Sequence, residues 1–130
     1  MRKKCLLLLL SPLLIAMTCD EYDPAIGLEG QWTLINISNG FAGTNNNFDE
    51  DLIIWDFEEY TNRVKITDNS GSENYYGPSG SLNYSLGNEP EICEYTLRIR
   101  GIDYGCIDIV ADTLRLSKGH IDGDTFTFVR

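Results

Sequence analysis

Glu94-Tyr95-Thr96-Leu97-Arg98-Ile99-Arg100 alternates charged or polar residues with large apolar ones over its whole length. Successive side chains of an extended chain point to opposite faces, so Tyr95, Leu97 and Ile99 share one face and the charged residues the other. That period of two marks a half-buried strand rather than a helix. Working outward, the same period recurs. Towards the C-terminus come 106–110, then 113–117 with Leu114 and Leu116 inward, then 125–130 with Phe126 and Phe128 on one face. Towards the N-terminus come 81–86 with Leu82, Tyr84 and Leu86 inward, 63–67 with Val64 and Ile66 inward, 52–57, and 31–37. In this first run Trp32 and Leu34 share a face that Asn36 continues as a polar residue, while Ile35 and Ile37 fall opposite. Either both faces are partly covered or a bulge shifts the phase after Leu34. Clusters of Gly, Asn, Asp and Pro separate the runs, Asp122-Gly123 carries a hairpin-turn signal, and 41–51 and 68–80 are longer polar loops.

Eight short runs with mostly short connections predict an all-β fold. An eight-stranded antiparallel up-and-down barrel is the first expectation, because closure removes the exposed edges of a flat sheet. A two-sheet sandwich fits the same pattern and is the alternative.

The start of the chain reads differently. Arg2, Lys3 and Lys4 precede an apolar run of 13 residues, 5–17, broken only by Ser11 and Pro12. That is the layout of a secretory signal, too short to span a bilayer. The expected division is a leader at 1–18, an acidic tether at 19–28 and a β domain at 29–130. Without Arg2, Lys3 and Lys4, seven basic residues face twenty acidic ones, a net charge of −13. Such a surface repels phosphate backbones, which argues against nucleic-acid partners, and it disfavours adsorption to anionic lipid. A covalent anchor is therefore the expected route to a membrane.

Four cysteines follow the same logic. Cys5 leaves with the leader, Cys19 stands at the junction, and Cys93 and Cys106 remain. Two cysteines in an oxidising compartment favour one disulfide, with two buried free thiols as the alternative. Their phases conflict. Cys93 is in step with Tyr95, Leu97 and Ile99, whereas Cys106 is out of step with Ile107 and Ile109, so a bulge or reversal is needed to bring both sulfurs to one side.

Two resemblances add to this reading. Ala16-Met17-Thr18-Cys19 resembles a bacterial lipobox, which implies acylation of Cys19, and Asp20-Glu21-Tyr22-Asp23 resembles the acidic tract that routes some lipoproteins to the cell surface. The segment 28–130 is similar to small bacterial lipocalin-like lipoproteins. The residues that carry this are Gly30-Gln31-Trp32 at the start, Gly40-Phe41-Ala42-Gly43, Trp55-Asp56-Phe57, and Phe128-Val129-Arg130 at the end. In that group an Arg or Lys near the last strand packs over the first-strand tryptophan, which implies barrel closure by Trp32 and Arg130. Most of its members have no assigned biochemical function, so the resemblance implies a fold and an address, at the outer membrane or cell surface, more than an activity.

Motifs for catalysis are not apparent. His120 is the only histidine, beside a turn, with Asp122 and Asp124 near it but no nucleophile tied to it by spacing. Asn45-Asn46-Asn47-Phe48-Asp49-Glu50-Asp51 is oxygen-rich but matches no calcium-loop spacing, and the two cysteines with one histidine make no zinc pattern. Glu58 and Glu59 alternate across a strand end and face opposite ways, a poor arrangement for paired acid–base work. Neither an enzyme, a metal nor a cofactor is expected, and a monomer is. The aromatic residues are the remaining clue. Trp55, Phe57, Tyr84, Tyr95, Phe126 and Phe128 either line a pocket for a small apolar ligand or fill the barrel. Tyr75-Tyr76-Gly77-Pro78, in a long loop, offers rings to a sugar or a partner protein. The first expectation is a binding barrel for a small apolar molecule. The second is an interaction lipoprotein with a filled core whose loops meet glycan or envelope protein.

Overall fold

The computed structural model describes residues 25–71, 75–118 and 123–130. The leader, Cys19, the acidic residues 20–23, His120 and Asp122 lie outside the described residues. Nine strands follow in order: β1 (Gly30–Asn39), β2 (Thr44–Asn47), β3 (Ile53–Glu58), β4 (Arg63–Asp68), β5 (Gly80–Glu89), β6 (Cys93–Ile99), β7 (Ile102–Val110), β8 (Thr113–Ser117) and β9 (Thr125–Val129). Eight of them close a barrel: β3 to β9 pair consecutively, β1 pairs β3, and β9 returns to β1, every pair antiparallel. The first and last strands meet from Thr33 opposite Val129 to Ser38 opposite Thr125, which sets the sandwich aside.

The ninth strand is β2. It folds back on β1 so that Asn36–Asn39 pair with Asn47–Thr44, further along β1 from the Gly30–Thr33 stretch that pairs with β3. Its sequence, Thr-Asn-Asn-Asn, has no apolar alternation. Side-chain amides hold it instead, with Asn36 Nδ2 donating to Oδ1 of Asn45 at 2.6 Å and of Asn47 at 2.8 Å.

Three irregularities resolve the phase conflicts. On β1, Leu34 pairs with Phe128 and Asn36 with Thr127, so Ile35 is an extra residue, and beyond it Ile37 faces inward opposite Phe126. Asn36 is thereby turned off the Trp32 face. On β6, Thr96 pairs with Gly87 and Cys93 with Glu89, three residues on one strand against two on the other. The step reverses the phase and puts Cys93 on the face of Thr96, whose partner across β7 is Cys106. The two cysteines form a disulfide with a Cα–Cα distance of 6.0 Å. On β7, the register slips between Gly105 and Asp103, which sends Tyr104 into the core. Gly105 sits at φ +86°, and a Cβ there would run into the Ser117 carbonyl, so this bulge requires glycine.

Serine at both Cys93 and Cys106 should lower stability by about 2–3 kcal/mol, the loop-closure value for a sequence separation of 13 residues. Urea unfolding of the variant beside the oxidised parent checks this, and coincident midpoints would show that the bridge stabilises nothing.

The two ends of the barrel differ. Short turns at 59–62, 90–92 and 111–112 share one end with the incoming segment 25–29 and with Arg130. The strand ends joined by the long connections 40–52, 69–79 and 118–124 share the other, together with the tight Arg100-Gly101 turn between β6 and β7. Both of those turn residues have positive φ, 52° and 78°, as a two-residue hairpin of this hand demands. The β8–β9 connection runs over 118–124, longer than a two-residue turn at Asp122-Gly123.

Candidate functional site

At the end where residues 25–29 enter, the barrel is sealed by its own backbone. Trp32, buried, donates its indole N–H to the Leu28 carbonyl at 2.7 Å. Arg130 stacks over the indole with its guanidinium carbon 4.1 Å from the ring centroid, and its Nη1 donates to the carbonyls of Gly27 at 3.4 Å and Glu29 at 3.3 Å. Glu59 completes the seal. It is buried, and its Oε1 accepts from the backbone N–H groups of Leu28 at 2.6 Å and Ile26 at 3.3 Å. Glu29 Oε2 in turn accepts from the Glu59 N–H at 2.7 Å. Glu58 is exposed, so the two adjacent glutamates do face opposite ways, and the Glu59 carboxylate is engaged by the backbone of Ile26 and Leu28.

The interior is filled. Trp55 is the hub, with ring centroids 4.8 Å from Phe128, 5.4 Å from Tyr104, 6.1 Å from Phe126 and 6.2 Å from Phe57. Phe57 meets Tyr84 edge-on at 5.4 Å. Five of the six aromatics offered as pocket lining are thus buried in mutual contact. Tyr95 departs from the expectation. It is half-buried and borders a shallow depression with Ala25, Ile26, Ile107 and Ile109, because the β6 bulge lies beside it. Of the two loop tyrosines offered to a partner, Tyr76 is exposed but Tyr75 is buried as a plug, because its ring and hydroxyl pack against the core. Tyr75, from the loop 69–79, lies buried above Trp55, accepts a hydrogen bond from the Trp55 indole N–H at 3.3 Å and donates to the Pro78 carbonyl at 3.0 Å. Burial pushes its phenol well above the ordinary tyrosine range, so it stays a donor.

Next to the loop that carries this plug is an open cleft of about 640 Å³, bordered by Tyr76, Gly77 and Pro78. Tyr104 and Phe126, edge-to-face at 5.4 Å, form its apolar floor. Its walls come from β1, β7 and the loops on either side: Asn39, Tyr76, Ile102, Asp103, Lys118 and Asp124. Three of these are wired together. The Tyr76 hydroxyl donates to Asp124 Oδ2 at 2.6 Å, and Asn39 Nδ2 donates to Asp124 Oδ1 at 3.1 Å. Asn39 Oδ1 also accepts from the Ala42 N–H at 2.9 Å, which ties the group to the β1–β2 turn. The cleft is where the structure differs most from the sequence reading: of the six residues offered as lining, Phe126 borders it. In the sequence Asp124 reads as a turn residue near His120, and no pattern marks Asn39 or Ile102.

The hydrogen bond to Asp124, with some burial, raises the Tyr76 phenol from 10.0 to about 12. Because the folded value is the higher one, this bond's contribution is complete below pH about 10 and is lost as pH rises through about 12. Spectrophotometric titration should show a tyrosine ionising near 12, and Asp124→Asn should bring it down towards the ordinary value. An unchanged titration in that variant would mean that Asp124 does not hold the phenol.

Among the described residues, no group of three or more His, Cys, Asp or Glu side chains is placed to hold a metal ion, and no helix is long and apolar enough to cross a membrane. Comparison of the chain with protein-family models, with curated proteins and with solved structures finds no match.

Proposed function

We propose that this chain is an exported, lipid-tethered, non-enzymatic binding protein of lipocalin-like architecture, held at the outer membrane or cell surface through Cys19, that meets its partner at the mouth of a filled barrel. The observation that carries the reading is the polarity of the barrel. Every long connection gathers at one end, around the cleft, while the tether enters at the other. A protein anchored through that tether presents its loops outward. The packed interior around Trp55 favours recognition by the mouth and its loops, of glycan or envelope protein, over enclosure of a small apolar ligand. The buried carboxylate of Glu59 is committed to the tether backbone, which supports binding rather than catalysis.

Two measurements in the native host test this. Cys19→Ala should move the protein from the membrane to the soluble fraction, and firm retention of the variant would remove the lipid tether. A cysteine at exposed Phe41, beside the mouth, should react with a membrane-impermeant maleimide on intact cells. Labelling only after lysis would mean that the mouth does not face the exterior.

A further inference from the structure

We propose that the mouth cleft is a site for a neutral saccharide. The inference rests on the mouth being the recognition surface and names its ligand class. Tyr76 is 65% exposed, yet its ring is not free to wander. Its hydroxyl is fixed on Asp124, and Asp124 is fixed on Asn39 at the end of β1. An exposed ring held in place before binding is a stacking platform that gives up little conformational freedom when a ligand lands on it. A pyranose offers such a platform an apolar face of C–H groups and a rim of hydroxyls. The cleft lining offers both kinds of contact, with Tyr104, Phe126 and half-exposed Ile102 apolar and Asn39, Asp103, Lys118 and Asp124 polar.

Charge narrows the class. Asp103 and Asp124, in a protein with twice as many acidic as basic residues, oppose phosphate, sulfate or carboxylate ligands. Lys118 in the same lining opposes a cation, and the carboxylates are already engaged: Asp124 accepts through both oxygens, and Asp103 Oδ1 accepts from the Gly105 N–H at 2.8 Å. A lining that carries both signs, with its carboxylates already engaged within the protein, suits an uncharged ligand rich in donors and acceptors. The openness of the site, above a plugged interior, suits the end or face of an oligosaccharide rather than an enclosed apolar molecule.

The full exported protein, purified from host membranes in a detergent without a sugar headgroup, would be titrated calorimetrically with neutral gluco-, manno-, xylo- and galacto-oligosaccharides. A heparin oligosaccharide and choline serve as anionic and cationic comparators. At least one neutral series should bind, and Tyr76→Ala should weaken it about tenfold or more, the loss of one good ring contact. Tyr76→Phe, which keeps the ring and loses its anchor on Asp124, should fall between the two. Circular dichroism and urea midpoints of both variants confirm that the fold is intact. Binding of choline or heparin in place of every neutral sugar overturns the proposal, as does sugar binding that Tyr76→Ala leaves unchanged, or no binding in the panel. Outward presentation of the mouth is measured separately by maleimide labelling, so its failure and the failure of the saccharide assignment are distinguishable.

Discussion

Trp32→Ala is expected to destabilise the domain by about 3–5 kcal/mol, the range for deleting a large buried aromatic. The loss has three parts. The indole is fully buried, so its removal leaves a void at the closed end of the barrel. The Leu28 carbonyl loses the N–H that satisfies it at 2.7 Å. Arg130 loses the ring over which its guanidinium lies at 4.1 Å. Arg130→Ala should cost about 1 kcal/mol, because that contact is partly solvated and the neighbouring ion pair with exposed Asp112, at 4.0 Å, adds little. The two residues should be coupled: once the indole is gone, removing the guanidinium should matter less than in the parent. Urea unfolding of the parent, both single variants and the double variant gives the coupling directly, and strict additivity would mean that ring and cation do not stabilise each other. Against a typical total of about 5–15 kcal/mol, the tryptophan loss alone brings the domain close to unfolding.

Trp55→Ala should cost as much, about 3–5 kcal/mol, but with a different second effect. Trp55 touches Phe57, Tyr104, Phe126 and Phe128 and gives its N–H to the Tyr75 plug. Replacing it empties the middle of the barrel, and a dry cavity lined by aromatic rings takes up apolar solutes. The folded variant should therefore bind an apolar fluorescent dye that the parent leaves in solution. Trp55→Leu, with a smaller void and a smaller cost, keeps the comparison available if the alanine variant does not fold. Equal dye binding by parent and variants would show that the barrel is not filled in the way the ring contacts describe.

These two tryptophans also mark how far the sequence alone could lead. Trp32 and Arg130 share their faces with Leu34 and with Phe126 and Phe128, and a period of two carries that information in one dimension. The bulges were legible too, as conflicts: Asn36 on the face of Trp32, and Cys93 out of step with Cys106, each demand one extra residue. What the pattern could not carry was partnership between distant segments. Glu59 reads as one of two glutamates at a strand end until the chain brings Leu28 beside it. Tyr75 sits in a polar loop with no periodicity, and its role depends on Trp55, 20 residues away. Asn39 and Asp124 are 85 residues apart and look like ordinary turn formers. β2 is built from amide pairs and has no hydrophobic signature at all. The fold was legible because it follows from burial, which is periodic. The cleft was not, because it is assembled from loop residues that only the closed barrel brings together.

The position of β1 has a mechanical consequence. Its first residues follow the incoming segment 25–29, β9 runs along one of its edges, and β3 and then β2 occupy the other. If the chain is anchored at its start and a partner drags on the mouth, the pull runs along the axis of β1. The hydrogen bonds to its neighbours lie across that direction, so they are loaded together in shear rather than peeled apart one by one. Arg130, clasping the Gly27 and Glu29 carbonyls where β9 ends, fastens the seam at the point where the pull enters.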